Sequence, residues 1–169
     1  MISTLIMTIL GPDRPGLVNS LADAVARHGG NWSESRMVRL GGQFAGVVKI
    51  EIPQSAAEAL LTDLREPGIP GLVIQTARQA DQDDKPRRTV RIDIIGNDRP
   101  GIVRELTGVI VSAGGNVEEL VTSLESAPMS GQPMFRAKGI VSVAEERDAE
   151  QVVAAIERLS GEFTVDVGN

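Results

Sequence analysis

The chain has 169 residues, 41% of them apolar, and a formal net charge of −6 at neutral pH. That length fits one ordinary domain or two small ones, no stretch approaches the roughly 20 apolar residues of a membrane span, and the acidic balance argues against a broad electrostatic grip on nucleic acid. With no cysteine, no tyrosine and a single histidine, His28, disulfides, thiol chemistry and cysteine–zinc sites are excluded, and few acid–base groups remain.

The first expected element is a strand over Ile2–Leu10, apolar with threonine interleaved. The turn GPDRPG, Gly11 to Gly16, follows it. Leu17, Leu21 and Val25 then step at helical spacing. Gly29 and Gly30 end that helix, where glycine can supply a left-handed cap residue. Ser33–Leu40 and Gln43–Ile52 flank Gly41-Gly42, a tight hairpin signal. A second helix is carried by Ala56, Leu60 and Leu64, and a last strand by Gly71–Ala77.

RQADQDDKPRR, Arg78 to Arg88, is polar and charged and reads as a tether. The expected organisation is a first domain over 1–78, a linker over 79–88 and a second domain over 89–169. The second half starts with a clear alternation, Val90, Ile92 and Ile94 against Arg91 and Asp93, within a strand over Thr89–Ile95. The turn GNDRPG, Gly96 to Gly101, comes next, then Ile102, Leu106 and Ile110 at helical spacing, then Gly114-Gly115-Asn116. Val117–Glu125 and Met134–Val143 flank a longer loop, SAPMSGQP. Val152, Val153, Ile156 and Leu159 mark a second helix, and Glu162–Val167 a closing strand.

The two halves are copies. Aligning Gly11 with Gly96 makes ten of 21 positions identical from the turn through Gly-Gly-Asn. Each half reads β-α-β-β-α-β, which makes a four-stranded antiparallel sheet with both helices on one face. The expected fold class is therefore α+β, two tandem ferredoxin-like βαββαβ domains packed together, since halves this small are near the lower limit for a self-supporting core.

The repeated turn has a chemistry of its own. Asp13 and Asp98 sit where a helix begins, and a carboxylate there can accept bonds from free N–H groups of the first turn. Pro15 and Pro100 suit early helix positions. Gly16 and Gly101 allow another backbone or a ligand to approach closely. A helix N-terminus offers donors to a carboxylate, and a nearby aspartate offers an acceptor to an ammonium group. Together they suit the zwitterionic head of a free amino acid. A plain structural turn fits the same residues.

These features resemble a pair of ACT domains: the element order, the DRPG turn after the first strand, and Gly-Gly-Asn leading into the second. The chain is also similar to the glycine cleavage system transcriptional repressor family, tandem ACT pairs without a catalytic domain, and SAPMSGQPMF resembles the hairpin insertion of their second module. The resemblance implies a ligand site at Pro12, Asp13 and Gly16, at their counterparts Asn97, Asp98 and Gly101, and at Asn31 and Asn116. The alternative for both asparagines is a left-handed cap residue after Gly-Gly. Pro12 lacks the N–H and side-chain amide of Asn97, so the two sites are expected to differ, the second binding more strongly.

The implied function is non-enzymatic: an amino-acid-binding regulator, a glycine-responsive modulator of a transcriptional regulator. The alternative is a regulatory or accessory subunit acting on an amino-acid metabolic enzyme. No catalytic residue, metal site or cofactor is expected, because no nucleophile–base pair, phosphate loop or His/Asp/Glu cluster is visible. The expected partners are a small amino acid such as glycine and a protein, with no direct nucleic-acid or membrane contact. A cytoplasmic homodimer is expected, because no secretory leader is visible and sheet edges are left exposed. His28 is read as suiting the first helix's C-terminal dipole, Arg14 and Arg99 as facing solvent, and Trp32 as core, with an inter-module interface as its alternative.

Overall fold

Alternating burial sets the strands. In the computed structural model, Met7 and Ile9 are fully buried while Thr8 and Leu10 between and after them are exposed, and Val90, Ile92 and Ile94 are buried while Thr89 and Arg91 are exposed. The structure describes residues 1–65, 69–78, 87–127, 131–144, 149–161 and 163–168. Their order is β1 (Ile2–Pro12), α1 (Leu17–Arg27), β2 (Asn31–Leu40), β3 (Gln43–Pro53), α2 (Ala57–Asp63), β4 (Val73–Arg78), then β5 (Arg87–Asn97), α3 (Ile102–Ser112), β6 (Gly115–Ser126), β7 (Pro133–Ala144), α4 (Ala149–Glu157) and β8 (Phe163–Gly168). A short 3-10 turn, Arg158–Gly161, follows α4.

The chain divides into two units, Met1–Gln82 and Asp83–Asn169. Each has one four-stranded sheet, ordered β2-β3-β1-β4 and β6-β7-β5-β8, with every neighbouring pair antiparallel. The expected βαββαβ order thus holds twice. Arg87 and Arg88 belong to β5 rather than to the tether, because they pair with Ala144 and Val143 of β7. The rest of that tether, residues 79–86, lies outside the described residues, as do the loop tip 128–130, residues 145–148 of the expected α4 start, and Glu162 of the closing strand.

Each unit has its own core. In the first, Met7, Ile9, Leu21, Val25, Val48, Ile50 and Leu60 are buried together, and Trp32 packs partly buried against them, so the core reading of Trp32 holds. In the second, Ile92, Ile94, Leu106, Ile110, Val141, Val152 and Ile156 play the same part. The apolar stripe of each helix meets one sheet face, which is how a sheet and helices too small to stand alone keep their apolar surfaces from water. On the other face of the second sheet, Arg136 holds Asp93 through two hydrogen bonds of 2.9 and 2.7 Å, and Lys138 lies 3.4 Å away. The Arg136 bonds, then the Lys138 bond, keep the Asp93 carboxyl below its usual range.

Both first helices close as the sequence suggests. His28 caps α1, Gly29 follows at φ 69°, and the N–H groups of Gly29 and Gly30 bond the carbonyls of Ala26 and Val25 at 2.9 Å. This is the Schellman arrangement, which satisfies carbonyls the helix leaves free.

Candidate functional site

The repeated turn is positioned by β1 and β5 and by the helices that follow. The N-cap of α1 is Gly16 at φ 81°, and that of α3 is Gly101 at φ 92°. An L side chain is strained there, so glycine is required by the backbone conformation. A Cβ at either position meets nothing within 4 Å among the described residues, so close approach of another backbone is not what requires glycine there. Pro15 and Pro100 precede the caps and lie outside the helices, rather than at the early helical positions expected of them.

Asp13 does not cap α1, as neither helix has a side-chain cap bond. It lies three residues before the cap, and its carboxylate is taken by Arg39 of β2, Nε to Oδ2 at 2.6 Å. Its backbone N–H bonds the Gly42 carbonyl at 2.9 Å, pinning the turn to the β2–β3 hairpin. In the second unit the Asp98 N–H likewise bonds Pro133, at 3.1 Å. The carboxylates differ. Arg39 pairs across the sheet with Phe44, and the residue in the same place, opposite Phe135, is Leu124. Among the described residues the Asp98 side chain has no hydrogen-bond or ion-pair partner. Sequence reasoning missed this difference, although its signal, arginine against leucine at matching positions of a repeat, was present.

Arg99 does not simply face solvent. Its guanidinium bonds Glu105 at 2.5 Å and lies 5.8 Å from the centroid of the buried Phe163 ring. Arg14 is exposed at the rim of a cleft on the helix face of its unit.

Asn31 and Asn116 are exposed at the starts of their strands or one residue in. Neither takes a left-handed cap conformation, because among the described residues every one with positive φ is a glycine, Gly29 and Gly114 here. Asn116 donates its amide to Glu118 at 3.0 Å, and Ser142 and Arg87 engage the same carboxylate. The bonds from Ser142, then Asn116, hold the Glu118 carboxyl below the usual range.

The turn and the asparagine do not meet within a unit. Asn31 stands across from Glu51, which pairs with Thr4, whereas the turn leaves β1 at Pro12. Asn116 is level with Ser142 and Thr89, whereas Asn97 is the end of β5. In both units the separation is eight residues of extended strand, roughly 26 Å. Pro12, Asp13 and Gly16 are brought together at one sheet end, Asn97, Asp98 and Gly101 likewise in the other unit, and each asparagine is left at the far end of its sheet.

His28 does more than sit at a helix end. Its Nε2 is 3.1 Å from Asp63 Oδ2, and Arg27 Nη2 reaches the same oxygen at 2.9 Å, tying α1 to α2. The Arg27 bond first, and the His28 bond second, lower the Asp63 pKa from its ordinary 3.8. A depressed carboxyl contributes stability above its unfolded pKa and loses it as pH falls through the folded value. The Asp63→Asn variant is therefore expected to be less stable than wild type at pH 6. The gap should close once the pH is well below 3.8, in urea unfolding followed by circular dichroism.

In the described residues no helix is long and apolar enough to cross a membrane. Residues 3–68 match the family model described as ACT domain. The glycine cleavage system transcriptional repressor of Escherichia coli (strain K12) is 28% identical over 127 residues, 73% of this chain, and the protein of the same name from Shigella flexneri matches equally. The chain spans 66% of the length of these curated relatives. The crystal structure of an unknown protein from Galdieria sulphuraria is 29% identical, covers 99% of this chain and 97% of its own, and superposes with a TM-score of 0.82. A crystal structure provisionally named a glycine cleavage system transcriptional repressor is 19% identical with a TM-score of 0.69, covers 100% of this chain and 99% of its own, and shares the fold. With that match on the first unit and the same topology repeated in the second, the chain resembles a tandem pair of ACT domains and is similar to the glycine cleavage system transcriptional repressors.

Proposed function

We propose that this chain is a non-enzymatic amino-acid sensor that binds glycine or a similarly small amino acid and thereby changes its contact with a protein that regulates transcription. We place it in the cytoplasm as a homodimer. The observation that carries the reading is the Asp98 carboxylate. It lies beside the N-terminus of α3, it has no partner among the described residues, and its counterpart Asp13 is neutralised by Arg39. The N–H groups of Ile102, Val103 and Arg104 precede the first helical bond, which runs from the Glu105 N–H to Gly101 at 3.0 Å. Free donors and a free carboxylate at one helix start complement the carboxylate and ammonium of an amino acid. Asn97 adds an amide to that end, and Pro12 adds none in the first unit. Asn31 and Asn116, too far from the turns of their own units to share one small ligand with them, are proposed as contacts to ligand held by a second copy of the chain.

Ligand can alter partner contact only by binding the two states unequally. The test is a thermal-shift screen of the chain against the common amino acids, glycine first. Binding to the folded chain alone raises its melting temperature by mass action, about 2.7 kcal/mol of stabilisation when ligand is at 100 times Kd. A shift with glycine or another small amino acid is the expected result, and no shift with any of them overturns the reading.

A further inference from the structure

The helix faces of the two units have diverged in a way that the turn site does not use. In the first unit the groove between α1 and α2 is bridged by its own charges. Asn19 bonds Asp23 at 3.0 Å, and Arg27 and His28 hold Asp63 across the groove. In the second unit the matching residues of α3 are Arg104, Gly108, Ser112 and Ala113, 85 positions on. Leu60 and Leu64 correspond to Val152 and Ile156, each pair buried and four residues apart. Ala155, just before Ile156, therefore stands where Asp63 does, just before Leu64. Both acidic groups of the groove are gone, together with the arginine and histidine that bridged it. The cleft there measures about 850 Å³, against about 570 Å³ in the first unit.

Among the described residues, the lining charges that make no ion pair are of one kind. Arg104 and Arg158 line the cleft from α3 and from the turn after α4, both exposed, and among the described residues neither makes an ion pair. Glu105, the carboxylate beside them, is engaged by Arg99. Val109, Ala113, Ala155 and Leu159 give the cleft an apolar floor. It runs along α3 from Gly101 to Ala113, which at about 1.5 Å per residue is roughly 18 Å, three helical turns. A trough this long, with so much of its lining in solvent, cannot enclose 70–90% of a small molecule as metabolite pockets do. It has the form of a groove that receives a helix, with small residues letting the two backbones approach.

We propose that the α3–α4 cleft docks an acidic amphipathic helix of a partner protein, apolar residues on the floor and carboxylates on Arg104 and Arg158. This rests on the regulatory reading above, for which it supplies the partner surface. Because the whole chain carries −6, non-specific attraction favours basic peptides, so a preference for an acidic one is a stringent sign.

The probe is a fluorescein-labelled 18-residue peptide with leucine at helical i, i+3, i+4 and i+7 spacing and glutamate on its flanks. Its twin carries lysine in place of glutamate. Fluorescence anisotropy on the full chain is expected to show at least tenfold tighter binding of the acidic peptide. Its amide shift changes should lie in 101–113 and 151–159. Gly108→Leu fills the groove at a position where a Cβ meets nothing within 4 Å, and it removes a helix-interior glycine, so folding is preserved. It should weaken binding at least tenfold. Ser112→Arg with Ala155→Asp, which rebuilds the clamp of the first unit, should do the same. Arg104→Glu with Arg158→Glu should reverse the preference to the lysine twin. Equal affinity for the twins, shift changes on another surface, or full binding by the filled and clamped variants overturns the proposal. The same variants are tested for their thermal response to amino acids. In the wild type, an amino-acid response without acidic-peptide docking overturns this proposal alone. Docking without any amino-acid response in the wild type overturns the sensor reading alone.

Discussion

The Asp98→Ala variant is expected to lose between tenfold and a hundredfold of its affinity for a small free amino acid, while Asp13→Ala keeps it. A hydrogen bond to a charged group contributes about 1.5–3 kcal/mol net, and about 1.4 kcal/mol is a factor of ten. The Asp98 carboxylate has no competing partner among the described residues, so all of that is available to a ligand ammonium. Asp13 is already paired with Arg39, whose side chain is 71% exposed. Such a surface pair contributes about 0–1 kcal/mol to stability, and its loss should change melting little. A reciprocal exchange separates the carboxylate from its surroundings. Leu124→Arg supplies the second unit with the arginine of the first and should reduce binding while leaving Asp98 in place. Arg39→Leu frees Asp13 and should add a second, weaker site, which isothermal titration reads as stoichiometry. Equal losses for Asp98→Ala and Asp13→Ala would sink the claim of unequal sites.

The architecture was legible because its signals are local and repeat. Val90, Ile92 and Ile94 alternate with Arg91 and Asp93, Ile102, Leu106 and Ile110 fall on one helical stripe, and both patterns recur in the other half. The site was legible in membership but not in arrangement. Asp13 reads as a helix cap from its neighbours, yet its partner, Arg39, comes 26 residues later and reaches it only because β2 returns to the turn end of the sheet. Asn31 follows Gly-Gly and reads as a companion of the turn. An 11-residue α1, at about 1.5 Å per residue, already carries the chain roughly 16 Å away from that turn. The length of the helix was visible, and it implied opposite ends. The clamp at Asp63 and its loss at Ala155 needed the register of α2 against α4, which only the buried pairs Leu60/Leu64 and Val152/Ile156 supply.

The double glycines make the last expectation, because two adjacent residues of one type are held for different reasons. Gly114 has φ 84°, so Gly114→Ala is expected to cost about 1–2 kcal/mol through the backbone, independent of what surrounds it. Gly115 has no such φ. A Cβ there would stand 2.9 Å from Ile110 Cγ2, 2.9 Å from Val141 Cγ1 and 3.2 Å from the Ile110 carbonyl. Ile110 and Val141 are fully buried, so neither can move aside freely. Gly115→Ala is expected to cost about 1–3 kcal/mol by overpacking. Ile110→Ala alone removes a core side chain and should cost about 2–5 kcal/mol. In the double variant the new methyl enters the space that Ile110 leaves, so the two losses should fall short of their sum by about 0.5–3 kcal/mol. Gly114→Ala combined with Ile110→Ala should be additive, since strain in φ is indifferent to that cavity. Urea denaturation of the five variants measures both cycles. Additivity at Gly115 would mean that packing against α3 is not what excludes a side chain there. Gly30 repeats the geometry, with Val25 Cγ1 at 2.9 Å and Ile50 Cγ2 at 3.3 Å. The same non-additivity is therefore expected between Gly30→Ala and Val25→Ala, which would show that the duplicated Gly-Gly-Asn keeps its second glycine for helix-to-sheet packing in both units.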